Sequence, residues 1–153
     1  MAQEFDDALK ELEQSVMEDM QRTYSEKVID HFLNPRNLGK LQAPDGFGRI
    51  TGPCGDTMEI YLRVKDNRVI NSSFWTGGCG TTIAALSMVT ELVKGRSIDQ
   101  AQKINQNDIL EALDGLPEDS LQCALLAANT LKEAIKDYLA FKNEPWKGAY
   151  RSC

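Results

Sequence analysis

Over the first two dozen residues the apolar positions fall at Phe5, Leu9, Leu12, Val16 and Met20. Steps of three and four draw one stripe along a helix, with acids on its other faces. Two accounts of that stripe stay open: a helix laid on the surface of the folded domain, or a seam for a second copy or a partner protein. Tyr24 to Leu33 predicts a second, short helix with Ser25 as its cap and Val28, Ile29, Phe32 and Leu33 as its apolar face. Asn34-Pro35 ends it, because proline disfavours helical geometry in the residue before it. His31, the lone histidine, lies in this helix beside no cysteine and reads as a packed or solvated helix residue rather than a ligand.

The period then changes. Leu38 to Phe47 is a connection marked by glycine and proline, and Gly48 to Thr51 predicts a short edge strand. Met58, Ile60, Leu62 and Val64 alternate with Glu59, Tyr61, Arg63 and Lys65, the pattern of a half-buried strand. Asp66-Asn67 makes a tight turn, and Val69 to Trp75 returns antiparallel. This is a small meander with one face needing cover. Helical spacing resumes at Ile83, Leu86, Val89 and Leu92-Val93, with Lys94-Gly95 as the stop. Ser97 to Gln102 and Asn107 to Leu113 predict two short helices. After the break at Asp114-Gly115-Leu116-Pro117, a long helix is expected from about Glu118 to Phe141. Its core stripe reads Leu121, Leu125, Ala128, Leu131, Ile135, Tyr138 and Leu139. From Asn143 onward the residues suggest a loose tail ending in Cys153.

Composition narrows the class. A chain of 153 residues is long enough for one domain with its own core. No apolar run approaches the length of a membrane span, and the acidic start is no secretory signal, so the expected compartment is the cytoplasm. The net charge of −6 argues against nucleic acid as the main partner. Residues 1–22 hold seven acids against Lys10 and Arg22, a net of −5 that leaves −1 for the rest of the chain. Four cysteines do not make the disulfide framework of a small secreted fold, and reduced thiols with a metal or redox role fit better.

Three of those cysteines stand at turns or helix starts. Cys79 lies in Gly77-Gly78-Cys79-Gly80-Thr81-Thr82, at a strand-to-helix join, where glycines let backbone come close to whatever the sulfur holds. Thr81 or Thr82 is expected to cap the helix, whose positive end then lowers the Cys79 thiol pKa. Cys54 lies in Gly52-Pro53-Cys54-Gly55-Asp56, and Cys123 in the first turns of the long helix. No pair has CxxC spacing, which argues against a zinc ribbon or a thioredoxin-type site. With no histidine beside any cysteine, a Cys–His hydrolase is disfavoured. If the meander and two helices pack together, three thiolates and the Asp56 carboxylate can converge at one end of the sheet. Such a set can hold iron or zinc, and a hard oxygen among soft sulfurs makes a looser site than four thiolates.

From about Tyr24 to Phe141 the chain resembles the IscU/NifU-type iron–sulfur cluster assembly scaffolds. The matching pieces are Tyr24-Ser25-Glu26-Lys27-Val28, His31-Phe32-Leu33-Asn34-Pro35-Arg36-Asn37, Cys54-Gly55-Asp56 and Gly78-Cys79-Gly80. Thr90-Glu91-Leu92-Val93-Lys94-Gly95 and Leu116-Pro117 with Cys123 follow in the same order. The resemblance implies an α+β fold, a three-stranded antiparallel sheet covered by helices, over residues 23–142. To this the chain adds an acidic amphipathic helix over 1–22 and a tail over 143–153. It implies a scaffold rather than an enzyme: a cysteine desulfurase supplies sulfur, iron is added, and a [2Fe-2S] cluster forms for delivery to apo-proteins. Carried across by position, Cys54, Cys79 and Cys123 are cluster ligands, Asp56 is the aspartate tied to cluster release, and Cys123 is the persulfide acceptor. Zinc is the other occupant expected of the cluster-free form, and a [4Fe-4S] cluster is open to a dimer.

Two departures matter. Where many members carry histidine before the last cysteine, this chain has Gln122, which points the fourth ligand toward Asp56 or another chain. Leu116-Pro117-Glu118-Asp119-Ser120 puts acids where the family's chaperone-recognition stretch is basic, which weighs against dependence on a specialised Hsp70. Between Cys79 and Cys123 there is no insertion of the kind seen in zinc-binding SufU-type relatives. Cys153 is either an incidental thiol or an extra ligand or sulfur relay. The competing functions are a zinc-containing sulfur acceptor that activates a desulfurase, and an adaptor domain with vestigial cysteines.

Overall fold

The computed structural model describes residues 2–53 and 55–143. Its elements run α1 (Ala2–Thr23), α2 (Glu26–Leu33), β1 (Gly46–Thr51), β2 (Thr57–Lys65), β3 (Arg68–Thr76), α3 (Gly80–Val93), α4 (Ile98–Ala101), α5 (Gln106–Ala112) and α6 (Leu121–Asn143). A 3₁₀ turn, Glu118–Ser120, leads into α6. The sheet is antiparallel in the order β1-β2-β3, and the fold is α+β as expected. At the β2–β3 turn, Asp66 (φ 53°) and Asn67 (φ 63°) both take the left-handed region that a tight hairpin demands, and Asx residues tolerate it.

Helices cover one face of the sheet. α3 lies at the centre, touching α2, β3 and α6, and it is buried nearly all round rather than along one stripe. Its buried polar groups are satisfied locally. Thr90 Oγ1 donates to the carbonyls of Leu86 and Ser87, both at 2.9 Å, and Ser87 Oγ lies 2.7 Å from His31 Nδ1. His31 is therefore a packed histidine. Burial holds its pKa below the ordinary value, helped by the Arg36 charge.

Two expected patterns differ. The long helix buries Ala124, Ala127 and Ala134 with Ala128, Leu131 and Ile135, while Leu125 is exposed. The reason is a close crossing over β1. A Cβ on Gly48 would lie 2.4 Å from the carbonyl oxygen of Thr130 and 2.5 Å from the amide nitrogen of Ala134, and one on Gly46 would lie 2.5 Å from the Ala134 oxygen. Glycines on the strand and alanines on the helix let the two backbones approach. The polar face of β2 is also less open than alternation suggests, because β2 is the middle strand. Glu59 and Tyr61 are buried there; the Tyr61 hydroxyl donates to Glu59, and the ring packs on Phe47 with centroids 5.1 Å apart.

None of the residues of α1 is buried. It stands as an extension whose last turn meets the domain at α2, where Met20 lies beside Tyr24, Val28 and Phe32. Among the described residues no helix is long and apolar enough to cross a membrane.

Candidate functional site

Antiparallel pairing gathers the chemistry at one end of the sheet. Thr51 pairs with Thr57 and Met58 with Thr76, so the β1–β2 loop and the segment after β3 leave from the same edge. The β1–β2 loop is closed by Gly52 N–H to the Asp56 carbonyl at 2.8 Å and Gly55 N–H to the Gly52 carbonyl at 3.0 Å, with Gly55 at φ 84°. That positive φ is one a side chain resists, so glycine belongs there. The Thr76 hydroxyl donates to the Thr57 carbonyl at 2.7 Å and accepts from the Gly78 amide at 3.0 Å, tying the approach to Cys79 to the start of β2.

Cys79 is itself the N-cap residue of α3, in place of the threonine cap expected from sequence. Thr81 and Thr82 fall in the first helical turn, where their hydroxyls stand between two sulfurs. Thr81 Oγ1 is 3.2 Å from Cys79 Sγ and 3.4 Å from Cys123 Sγ, and Thr82 Oγ1 is 3.6 Å from each. A hydroxyl has one proton to give and lone pairs to receive with. With a thiolate at Cys79, both threonine hydroxyls donate to it, and their lone pairs remain available.

Cys79 is exposed and Cys123 half-buried. Burial pushes the Cys79 thiol up, but the Thr81 hydroxyl, the Thr82 amide and hydroxyl and the Thr81 amide outweigh it and bring the pKa from 9.0 to about 7. The amides act through the open helix end, although neither closes a cap hydrogen bond by distance and angle.

A cavity of about 170 Å³ opens over these groups, walled by Pro53, Asp56, Cys79, Thr81, Thr82 and Cys123, with Asp119, Ser120 and Gln122 on the α6 side. Cys79, Cys123 and Asp56, distant in sequence, therefore share one opening. Cys54 lies outside the described residues, as does Cys153; the residues before and after position 54 that wall the cavity are Pro53 and Asp56. Among the described residues no three His, Cys, Asp or Glu side chains stand close enough to grip a metal ion as a ready-made set. Two soft sulfurs and a carboxylate around one opening still suit a thiophilic metal, and completing the shell calls for a further donor or a shift of the loop.

Residues 23–145 match the family described as NifU-like N terminal domain. The chain belongs to that family. It is 51% identical over 116 residues to the Archaeoglobus fulgidus protein named iron-sulfur cluster assembly scaffold protein IscU 1, covering 75% of this chain and 76% of that one. To the Escherichia coli K12 protein of the name IscU it is 48% identical over 120 residues, covering 75% and 93%. The fold matches a solved structure from Fervidobacterium islandicum AW-1, a candidate cluster assembly scaffold for the SUF system, with a TM-score of 0.60 at 19% identity over 73% of this chain and 96% of that one. The matched range of this NifU-like domain takes in α1 only at its last residue, Thr23.

Sequence reasoning missed the double role of Thr81 and Thr82, assigning them to capping alone. The signal was present in Cys-Gly-Thr-Thr: if the cysteine is the N-cap, both hydroxyls fall in its own helical turn. Asp119 and Ser120 were read only as a departure from a chaperone motif, whereas they wall the cavity.

Proposed function

We propose that this NifU-like protein is a scaffold on which an iron–sulfur cluster, [2Fe-2S] in the first instance, is assembled from desulfurase-derived sulfur and iron and then passed to apo-proteins. The observation that carries the reading is the cavity shared by Cys79, Cys123 and Asp56, with hydroxyls between the two sulfurs. The names of the relatives agree with it. In this reading Cys54, Cys79, Cys123 and Asp56 hold the cluster, which is cargo rather than a resident cofactor. The carboxylate keeps one corner exchangeable, because a hard oxygen binds iron of such clusters less firmly than thiolate does.

Sulfur enters by persulfide exchange. The Cys123 thiolate attacks the outer sulfur of a donor Cys–S–SH; a new S–S bond forms on Cys123, the donor's S–S bond breaks, and the donor leaves as thiolate. Thr81, whose hydroxyl lies 3.2 Å from Cys79 Sγ and 3.4 Å from Cys123 Sγ, holds the two sulfurs side by side at the opening where the donor enters. The chemistry belongs to the cytoplasm, where thiols stay reduced.

Anaerobic reconstitution with iron and sulfide tests the reading. The expected result is an iron–sulfur absorption spectrum with two irons and two sulfides per cluster, lost in each of Cys54→Ser, Cys79→Ser and Cys123→Ser. Zinc bound with no such absorption would point instead to a sulfur acceptor that activates a desulfurase. Mass mapping after incubation with a desulfurase and cysteine should find the persulfide on Cys123; persulfide on Cys79 alone would reassign the acceptor to the more exposed thiol.

A further inference from the structure

The most extensive feature that the scaffold reading leaves unused is α1. Its apolar stripe is open to solvent, with Phe5 66% and Leu12 61% exposed. The stripe does not stop at the end of the helix. Met20, its last member, joins Tyr24, Val28, Ile29 and Phe32 around a cavity of about 270 Å³ whose far wall is Cys79, Gly80 and Thr81. Gly80 makes that wall possible: a Cβ there would stand 2.8 Å from the Phe32 ring. Cys79 thus separates two openings, one shared with Cys123 and Asp56 and one apolar, and the second continues along α1.

The charges that edge the stripe decide what fits it. At about 100° per residue, Asp6 and Glu13 fall along one edge and Asp19 along the other. Arg22 is paired with Asp19 at 3.6 Å. Lys10, one turn from Asp6 (i,i+4) and Glu13 (i,i+3), flanks the other edge and offsets part of its charge, which leaves the acids in excess along the helix. A second copy laid on this face would set acid edge against acid edge, with a net of −5 on each helix over residues 1–22. An anionic membrane surface is repelled for the same reason.

We propose that the α1 stripe and the cavity at its end form one docking track for a basic amphipathic helix of a partner protein, which the track leads to Cys79. Only the identity of that partner, a protein exchanging sulfur or cluster with the site, rests on the scaffold reading. Apolar residues of the guest helix lie along Phe5, Leu12 and Val16, its lysines or arginines meet Asp6 and Glu13, and its end enters the cavity lined by Phe32.

The probe is an 18-residue amphipathic peptide of leucine and lysine, fluorescently labelled and titrated with the full chain. Its controls are a leucine–glutamate peptide of the same pattern and a leucine–lysine peptide shuffled to break the stripe. The expected result is binding at micromolar Kd, weakened at least tenfold by Leu12→Asp with Val16→Asp and at least tenfold by raising salt from 50 to 500 mM, with both controls at least tenfold weaker. With a chloroacetyl group at either end in turn, one form of the peptide should alkylate Cys79, sulfur displacing chloride, at least tenfold faster than chloroacetamide, and the double aspartate variant should lose that advantage. Equal binding of the shuffled peptide, no effect of the aspartates, or a dimer in sedimentation that those aspartates abolish would each overturn the proposal, the last by making a second copy the occupant. Because α1 buries nothing, the aspartate variant should reconstitute cluster like wild type. Loss of docking with intact cluster therefore reads on the track, whereas absence of cluster in the wild type reads on the scaffold function.

Discussion

The thiolate at Cys79 should depend on Thr81 in a way that can be measured. Thr81→Val keeps the β-branched shape of this buried residue and removes the hydroxyl 3.2 Å from the sulfur. Hydroxyls and amides of Thr81 and Thr82 bring the thiol from 9.0 to about 7 against burial, and the Thr81 hydroxyl contributes most to that lowering. Its loss should raise the pKa by on the order of one unit, to about 8. At pH 7 the ionised fraction then falls from about a half to about a tenth, roughly fivefold. A more basic thiolate is intrinsically more nucleophilic, by roughly 2.5- to 3-fold per unit at a Brønsted slope of ~0.4–0.5. Exchange with a small activated disulfide should therefore slow only about twofold at pH 7 but run about 2.5- to 3-fold faster than wild type at pH 9.5. The two rate–pH curves should cross. Site-resolved mass spectrometry separates Cys79 from the other thiols, and the double variant Thr81→Val with Thr82→Val should move the midpoint further. Superimposable Cys79 profiles in wild type and both variants, with folding intact, would refute the hydroxyl argument.

Other consequences follow from the fold and the donor set. Gly48→Ala drives a Cβ to within 2.4 Å of α6 backbone that cannot rotate away, so it should cost about 2–3 kcal/mol and lower Tm by about 5–10 °C in thermal unfolding; a shift under about 2 °C would contradict the close crossing. His31 has a folded-state pKa below the ordinary 6.5 of a free histidine, so the unfolded chain binds the extra proton first. Stability should fall as pH drops below about 6.5 in urea titrations, and His31→Gln should flatten that fall; an unchanged slope would remove His31 as its source. Asp56→Ala should lengthen cluster half-life in the presence of an apo-acceptor, and faster loss would contradict its assignment as the exchangeable corner.

The elements and their order were legible in the chain's local patterns, and so were the cysteines that mark the candidate site. Period-two alternation in Met58–Val64 and steps of three and four in α2 and α6 record which side of each element meets apolar surroundings, and that information is local. Cys79 was legible for the same reason: Gly-Gly-Cys-Gly-Thr-Thr is a strand-to-helix turn sequence, and it keeps that thiol exposed. Distances between elements came from packing alone. Leu125 was expected inside and stands outside, because Gly46 and Gly48 let α6 approach so closely that alanines, not leucines, fit the contact. Glu59 and Tyr61 follow a polar alternation yet are buried, since being the middle strand is a property of the sheet rather than of the strand. The meeting of Cys79 and Cys123 across Thr81 and Thr82, and the continuation of the α1 stripe into a cavity that ends at Cys79, come from packing between residues far apart in the chain. No local pattern encodes a separation across space, so those features required the fold.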